Sequence, residues 1–125
     1  MALATRFEEL VVWRKARALT SDIYTATGTV PFRRDRDLQS QMRRAAVSIV
    51  SNVAEGFERN SKADFARFLL IAKGSCGELR AQLYVALDQG YLDQPGFDEL
   101  FARSIEVIRL LAALRASILA PRGTA

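Results

Sequence analysis

Apolar residues recur at intervals of three and four along four stretches of this chain, and proline and glycine separate the stretches. That interval is the helical period, and no stretch alternates with period two for long. All three prolines, Pro31, Pro95 and Pro121, lie between or outside the periodic stretches. Gly28, Gly90, Gly96 and Gly123 fall at the same breaks. The spacing predicts helices over about 7–27, 38–58, 62–89 and 97–119.

Each predicted helix has an apolar face. In the first, Val12, Trp13, Ala16, Leu19, Thr20, Ile23 and Ala26 share one side. The second lines up Leu38, Met42, Ala45, Ala46, Ile49, Val50, Val53 and Phe57. The third has Phe65, Phe68, Leu69, Ala72, Cys76, Leu79, Leu83 and Ala86, and it opens on Ser61-Lys62-Ala63-Asp64, a variant capping box with aspartate for glutamate. It ends near Gly90, which suits a left-handed cap. The fourth turns Phe97, Leu100, Phe101, Ile105, Ile108, Leu111, Ala112 and Ile118 inward. The connectors are the polar, basic GTVPFRRDRD at Gly28–Asp37, a short Glu58–Asn60, and Tyr91–Gly96 with Pro95. The PRGTA end is expected to fray.

Four long helices joined by short turns must pack antiparallel in sequence. The expected fold is all-α: an antiparallel up-down-up-down four-helix bundle forming one domain over 1–125. A chain of 125 residues can bury a sizeable core. Its apolar runs are too short to span a membrane, and MALATRFEELVVW lacks the long apolar region of a signal peptide. The one cysteine, Cys76, excludes an internal disulfide and fits the cytoplasm. The absence of histidine removes the commonest general base and metal ligand. No catalytic, cofactor or metal site is expected.

Lysine and arginine number 18 against 14 acids. Three are lysines (Lys15, Lys62 and Lys73) and fifteen are arginines, whose planar fork grips phosphate at two points. This balance fits either an anionic partner such as RNA or DNA, or simply a solvated basic surface.

Three features exceed what a lone amphipathic bundle needs. On the second helix Gln41, Arg44, Ser48, Ser51, Asn52, Glu55 and Arg59 fall within one narrow arc opposite the apolar face. Serine and asparagine are poor helix formers, so the arc reads as a hydrogen-bonded contact with another helix or subunit, with a ligand site and plain solvent exposure as alternatives. On the third helix Leu70, Ala81 and Val85, flanked by Ile71 and Tyr84, make a second apolar side; it fits an oligomer interface or a broader core. Gly74 and Gly77 lie inside that helix, where each costs about 1 kcal/mol against alanine. Close approach of a neighbouring backbone would explain them, and so would a kink. Cys76, between them on the core stripe, is expected to be a buried small hydrophobe and not a nucleophile.

The run SQMRRAAVSIVSNVAEGFERNSKADFARFLLIAKGSCGEL, Ser40 to Leu79, resembles the four-helix-bundle proteins encoded in intervening sequences of 23S rRNA genes. It also resembles the related accessory variability determinant of diversity-generating retroelements. FEELVVWRKARAL at Phe7–Leu19 and LDQGYLD at Leu87–Asp93 agree with this. The first turn departs: RRDRDL stands where the family usually has an acid and a glycine. The resemblance implies a ring-like homopentamer, a basic surface for nucleic acid and, for the retroelement members, a reverse transcriptase partner. It implies no catalytic residues. Arg43, Arg44, Ser48, Ser51, Asn52, Glu55, Gly56, Arg67, Ser75 and Glu78 match its motif positions.

The expected function is that of a non-enzymatic homo-oligomeric module binding nucleic acid, with a protein-interaction scaffold as the alternative. Arg14, Lys15, Arg17, Arg33, Arg34, Arg36, Arg43 and Arg44 are the expected phosphate contacts. Ser48, Ser51, Asn52, Glu55, Arg67, Leu70, Ile71, Gly74, Gly77, Glu78 and Val85 are the expected interface between copies.

Overall fold

The computed structural model describes residues 4–121. Among them a 3-10 turn, Phe7–Glu9, precedes α1 (Val11–Thr27), α2 (Val30–Arg33), α3 (Arg36–Glu58), α4 (Lys62–Asp88) and α5 (Gln94–Leu119). The frayed end expected for PRGTA lies, from Arg122 onward, outside the described residues.

Side chains set three of the helix starts by accepting orphan backbone N–H groups. Asp35 accepts from Leu38 N at 3.1 Å, Ser61 from Asp64 N at 3.0 Å and Asp93 from Gly96 N at 2.8 Å. Asp64 does not complete the box; it faces Arg67 at 3.7 Å. Gly90 has φ +75, the left-handed value that ends α4.

Three expectations need correction. The first helix begins at Val11, not Phe7. The Glu9 carboxylate accepts from Thr5 N, Thr5 Oγ1 and Arg6 N, closing a separate turn, and Leu10 is extended. These bonds, those from Thr5 first, hold the Glu9 carboxyl below its usual range. The basic first turn is not wholly polar: it contains α2, whose Phe32 is fully buried and meets the Tyr91 ring at 5.2 Å. Finally, α5 starts three residues before Phe97, with Pro95 in its first turn, where a missing N–H costs nothing.

Paired residues define the packing. Thr20 Oγ1 donates to Ala46 O, and Arg43 Nε to Thr27 Oγ1, so α1 and α3 run antiparallel. Ser48–Ser75 and Gly56–Phe68 do the same for α3 and α4. Cys76–Ser104 and Ala66–Arg115 set α4 against α5. Arg103 with Asp22 and Lys15 with Glu106 close α5 back onto α1. The result is an up-down-up-down bundle whose core includes Leu19, Ile23, Met42, Ile49, Leu69, Leu79, Leu83 and Leu111.

The inward arc of α5 is Phe97, Leu100, Ser104, Val107 and Leu111; Ala112, expected inside, is exposed. Hydropathy passes over Ser104, which is buried because its carbonyl accepts from Cys76 Sγ at 3.3 Å and its hydroxyl donates to Phe101 O at 2.7 Å.

The glycine that brings two helices together is Gly56. A Cβ there would lie 2.6 Å from Phe68 Cβ and 3.1 Å from the Phe65 ring. Gly74 and Gly77 have no such neighbour within this chain. Nothing lies within 4 Å of a Cβ on Gly74, and a Cβ on Gly77 meets only an Arg80 nitrogen at 3.9 Å. Helical spacing puts both on the side of α4 away from Leu69, Ala72, Cys76 and Leu79.

Candidate nucleic-acid interface

A groove of about 520 Å³ runs between the end of α1 and the first half of α3. Tyr24, Gln39, Ser40, Arg43, Arg44, Val47 and Ser48 line it, and no carboxylate does. Arg43 forms its back wall. Its Nε donates to Thr27 Oγ1 at 2.9 Å, its Nη2 to Tyr24 O at 3.2 Å, and its guanidinium sits 4.4 Å from the Tyr24 ring centroid. Gln39 Nε2 donates to Thr27 O at 2.7 Å. The last turn of α1 is thus capped by two side chains of α3, which satisfy its terminal carbonyls and fix the groove. Arg36, Ser40 and Arg44 follow at i, i+4 and i+8 on the outer face of α3, spanning about 12 Å. Arg33, Arg34, Arg36 and Arg44 are exposed, and their side chains make no ion pair or hydrogen bond among the described residues.

The eight cations expected to contact phosphate do not form one patch. Arg33, Arg34, Arg36, Arg43 and Arg44 gather at one end of the bundle. Arg17 lies farther along α1, stacked over Trp13 at 5.8 Å, on the flank that also carries Tyr24. Arg14 reaches back to Glu9 O at 3.5 Å. Lys15 points the other way, toward Glu106 of α5 at 3.5 Å. Helical rotation separates these neighbours in sequence. Sequence reading missed Tyr24, Gln39 and Ser40. The available signal was an exposed aromatic just before the basic turn.

The expected interface residues also divide. Ser48 and Asn52 are used within the chain: Ser48 Oγ and Ser75 Oγ lie 2.8 Å apart, and Asn52 Nδ2 donates to Ser48 O at 2.8 Å and Oγ at 3.0 Å. These small polar residues form a hydrogen-bonded seam between α3 and α4. Ser51 is exposed, as is Glu55, which pairs with Arg59 at 2.8 Å. Arg67 pairs with Asp64 and stacks on Phe68 at 4.6 Å. The outer side of α4 remains uncovered: Leu70 is 48% exposed, Ile71 42% and Val85 46%, with Gly74, Gly77 and Glu78 between them.

Residues 8–113 match the family described as 23S rRNA-intervening sequence protein. The chain belongs to that family. A solved structure from the S23 ribosomal protein family of Bacteroides thetaiotaomicron, a protein of unknown function, is similar to it with a TM-score of 0.77. The two are 24% identical, over 84% of this chain and 98% of the other, so that likeness speaks for the fold. No curated protein matches the chain.

The groove and the outer side of α4 both fall inside the segment that matches the 23S rRNA-intervening sequence family. In this family member Cys76 is fully buried, and burial pushes its thiol up to about 11, so it stays protonated at neutral pH. Among the described residues no cluster of acids and cysteine is arranged to hold a metal ion, and no helix is long and apolar enough to cross a membrane.

Proposed function

We propose that this member of the 23S rRNA-intervening sequence family is a non-enzymatic, homo-oligomeric four-helix module of the cytoplasm that binds RNA or DNA through the arginine-lined side of α1 and α3. The observation that carries this reading is the set Arg33, Arg34, Arg36 and Arg44, whose side chains are left without partners among the described residues, with Arg44 on the wall of a groove that no carboxylate lines. Unpaired guanidinium groups at one end of a bundle are poised for phosphate contacts. The family's description, which concerns an intervening sequence of 23S rRNA, agrees with a nucleic-acid role. Fluorescence anisotropy with labelled RNA and DNA tests it: binding at low salt with a steep loss as salt rises is expected. No binding at low salt would sink it.

Self-assembly is supported by the outer side of α4, where exposed Leu70, Ile71 and Val85 flank two glycines that nothing in the chain explains. A monomer in light scattering would remove that part. The same apolar side would also serve a scaffold for another protein, such as the reverse transcriptase of a retroelement; a monomer that captures one stoichiometric partner would favour this second reading.

A further inference from the structure

We infer that the groove between α1 and α3 seats an unpaired nucleotide of a single-stranded nucleic acid, its base on the Tyr24 ring and its phosphate at Arg44. This rests on the nucleic-acid reading above and adds to it the form of strand recognised.

Five observations converge on it. Tyr24 is 43% exposed although Arg43 covers part of its ring, and that arginine is held still by Thr27 Oγ1 and Tyr24 O. A rigid aromatic with a fixed cation behind it is a stacking platform, and bases stack on such platforms with little regard to sequence. Arg44, on the groove wall, has no partner of its own. Gln39 spends one amide N–H on Thr27 O; its carbonyl and the Ser40 hydroxyl remain for a base edge. The groove's volume of about 520 Å³ lies within the range of small-molecule sites. A base inside a duplex is already stacked on both faces, so Tyr24 can add affinity only for a strand whose bases are free. Arg17 over Trp13 repeats the aromatic–arginine pairing farther along the same flank, where the strand would continue.

The test measures anisotropy of the full chain with a labelled single strand, made as RNA and as DNA, and with a blunt duplex of the same sequence. Free nucleoside monophosphate serves as competitor. Tighter binding of either single strand than of the duplex is expected. Tyr24→Leu should weaken single-strand binding about tenfold while leaving duplex binding unchanged, and Tyr24→Phe should restore it. Arg44→Gln should lower the salt slope by about 0.7, one phosphate's share for a single strand, whereas Tyr24→Leu should leave the slope alone. Equal binding of strand and duplex, with no effect of Tyr24→Leu, would overturn the inference while leaving the basic surface as a nucleic-acid binder. A monophosphate that competes as well as an unlabelled strand would overturn the strand assignment. Failure of every nucleic acid to bind at low salt would remove both this inference and the reading beneath it.

Discussion

Tyr91 Oη donates to Asp35 Oδ2 at 3.1 Å, joining residues 56 positions apart. The other oxygen of the same carboxylate accepts from Leu38 N and starts α3. One side chain therefore caps α3 and fastens the arginine-rich turn to the turn between α4 and α5, directly over buried Phe32. Asp35→Ala should cost about 1 kcal/mol through the lost cap. Tyr91→Phe should lower the denaturation midpoint by a smaller step. In a double-mutant cycle read by urea denaturation, the two should be less than additive, because either change removes the shared bond. Strict additivity would mean that the bond does not hold the turn.

Gly56 and Gly74 should respond oppositely to alanine. Gly56→Ala forces a Cβ to within 2.6 Å of Phe68 Cβ, so α3 and α4 must separate; a loss of about 1–3 kcal/mol is expected. Gly74→Ala meets nothing in the chain, and the isolated subunit should gain up to about 1 kcal/mol of helix propensity. Where a second copy packs on that face, the same methyl should weaken assembly. Calorimetry and light scattering on both variants test this, and a Gly74→Ala protein assembled as well as the parent would place the contact elsewhere.

Cys76 gives a pH dependence of defined sign. Its thiol ionises near 9.0 when unfolded and near 11 when folded. Folding thus favours the protonated form. The contribution is fully present below pH 9 and is lost as the pH rises toward 11, about 2 to 3 kcal/mol in all. Stability measured in urea should fall more steeply over that window in the parent than in Cys76→Ala. At neutral pH the native thiol should react with alkylating reagents only as fast as the chain opens.

The helices were legible because their apolar period is strong and because Ser61 and Gly90 mark the limits of α4. Features that depend on what lies across a helix interface were less visible. Phe32 sits among charges in sequence yet is core, since α2 turns it toward Tyr91. Gly56 resembles Gly74 and Gly77 in a one-dimensional reading; only Phe65 and the Phe68 Cβ opposite tell them apart. Arg43 and Arg44 are adjacent and look equivalent, but a rotation of about 100° binds the first to α1 and leaves the second free. Of the polar arc of α3 only Ser48 and Asn52 pack, and the partner of Ser48, Ser75 of the same chain, is visible only in the fold; Gln41, Arg44, Ser51, Glu55 and Arg59 are exposed.

Whether the arginines of α3 meet phosphate is tested most directly by the salt dependence of RNA affinity in the parent and in Arg36→Gln/Arg44→Gln. Both side chains are exposed and partnerless, so the variant should keep the parent's stability. With single-stranded RNA, the plot of log affinity against log salt should be steep in the parent and shallower by about 1.4 in the variant, two phosphate contacts fewer. Identical slopes in the two proteins would contradict the assignment of these arginines to a nucleic-acid surface.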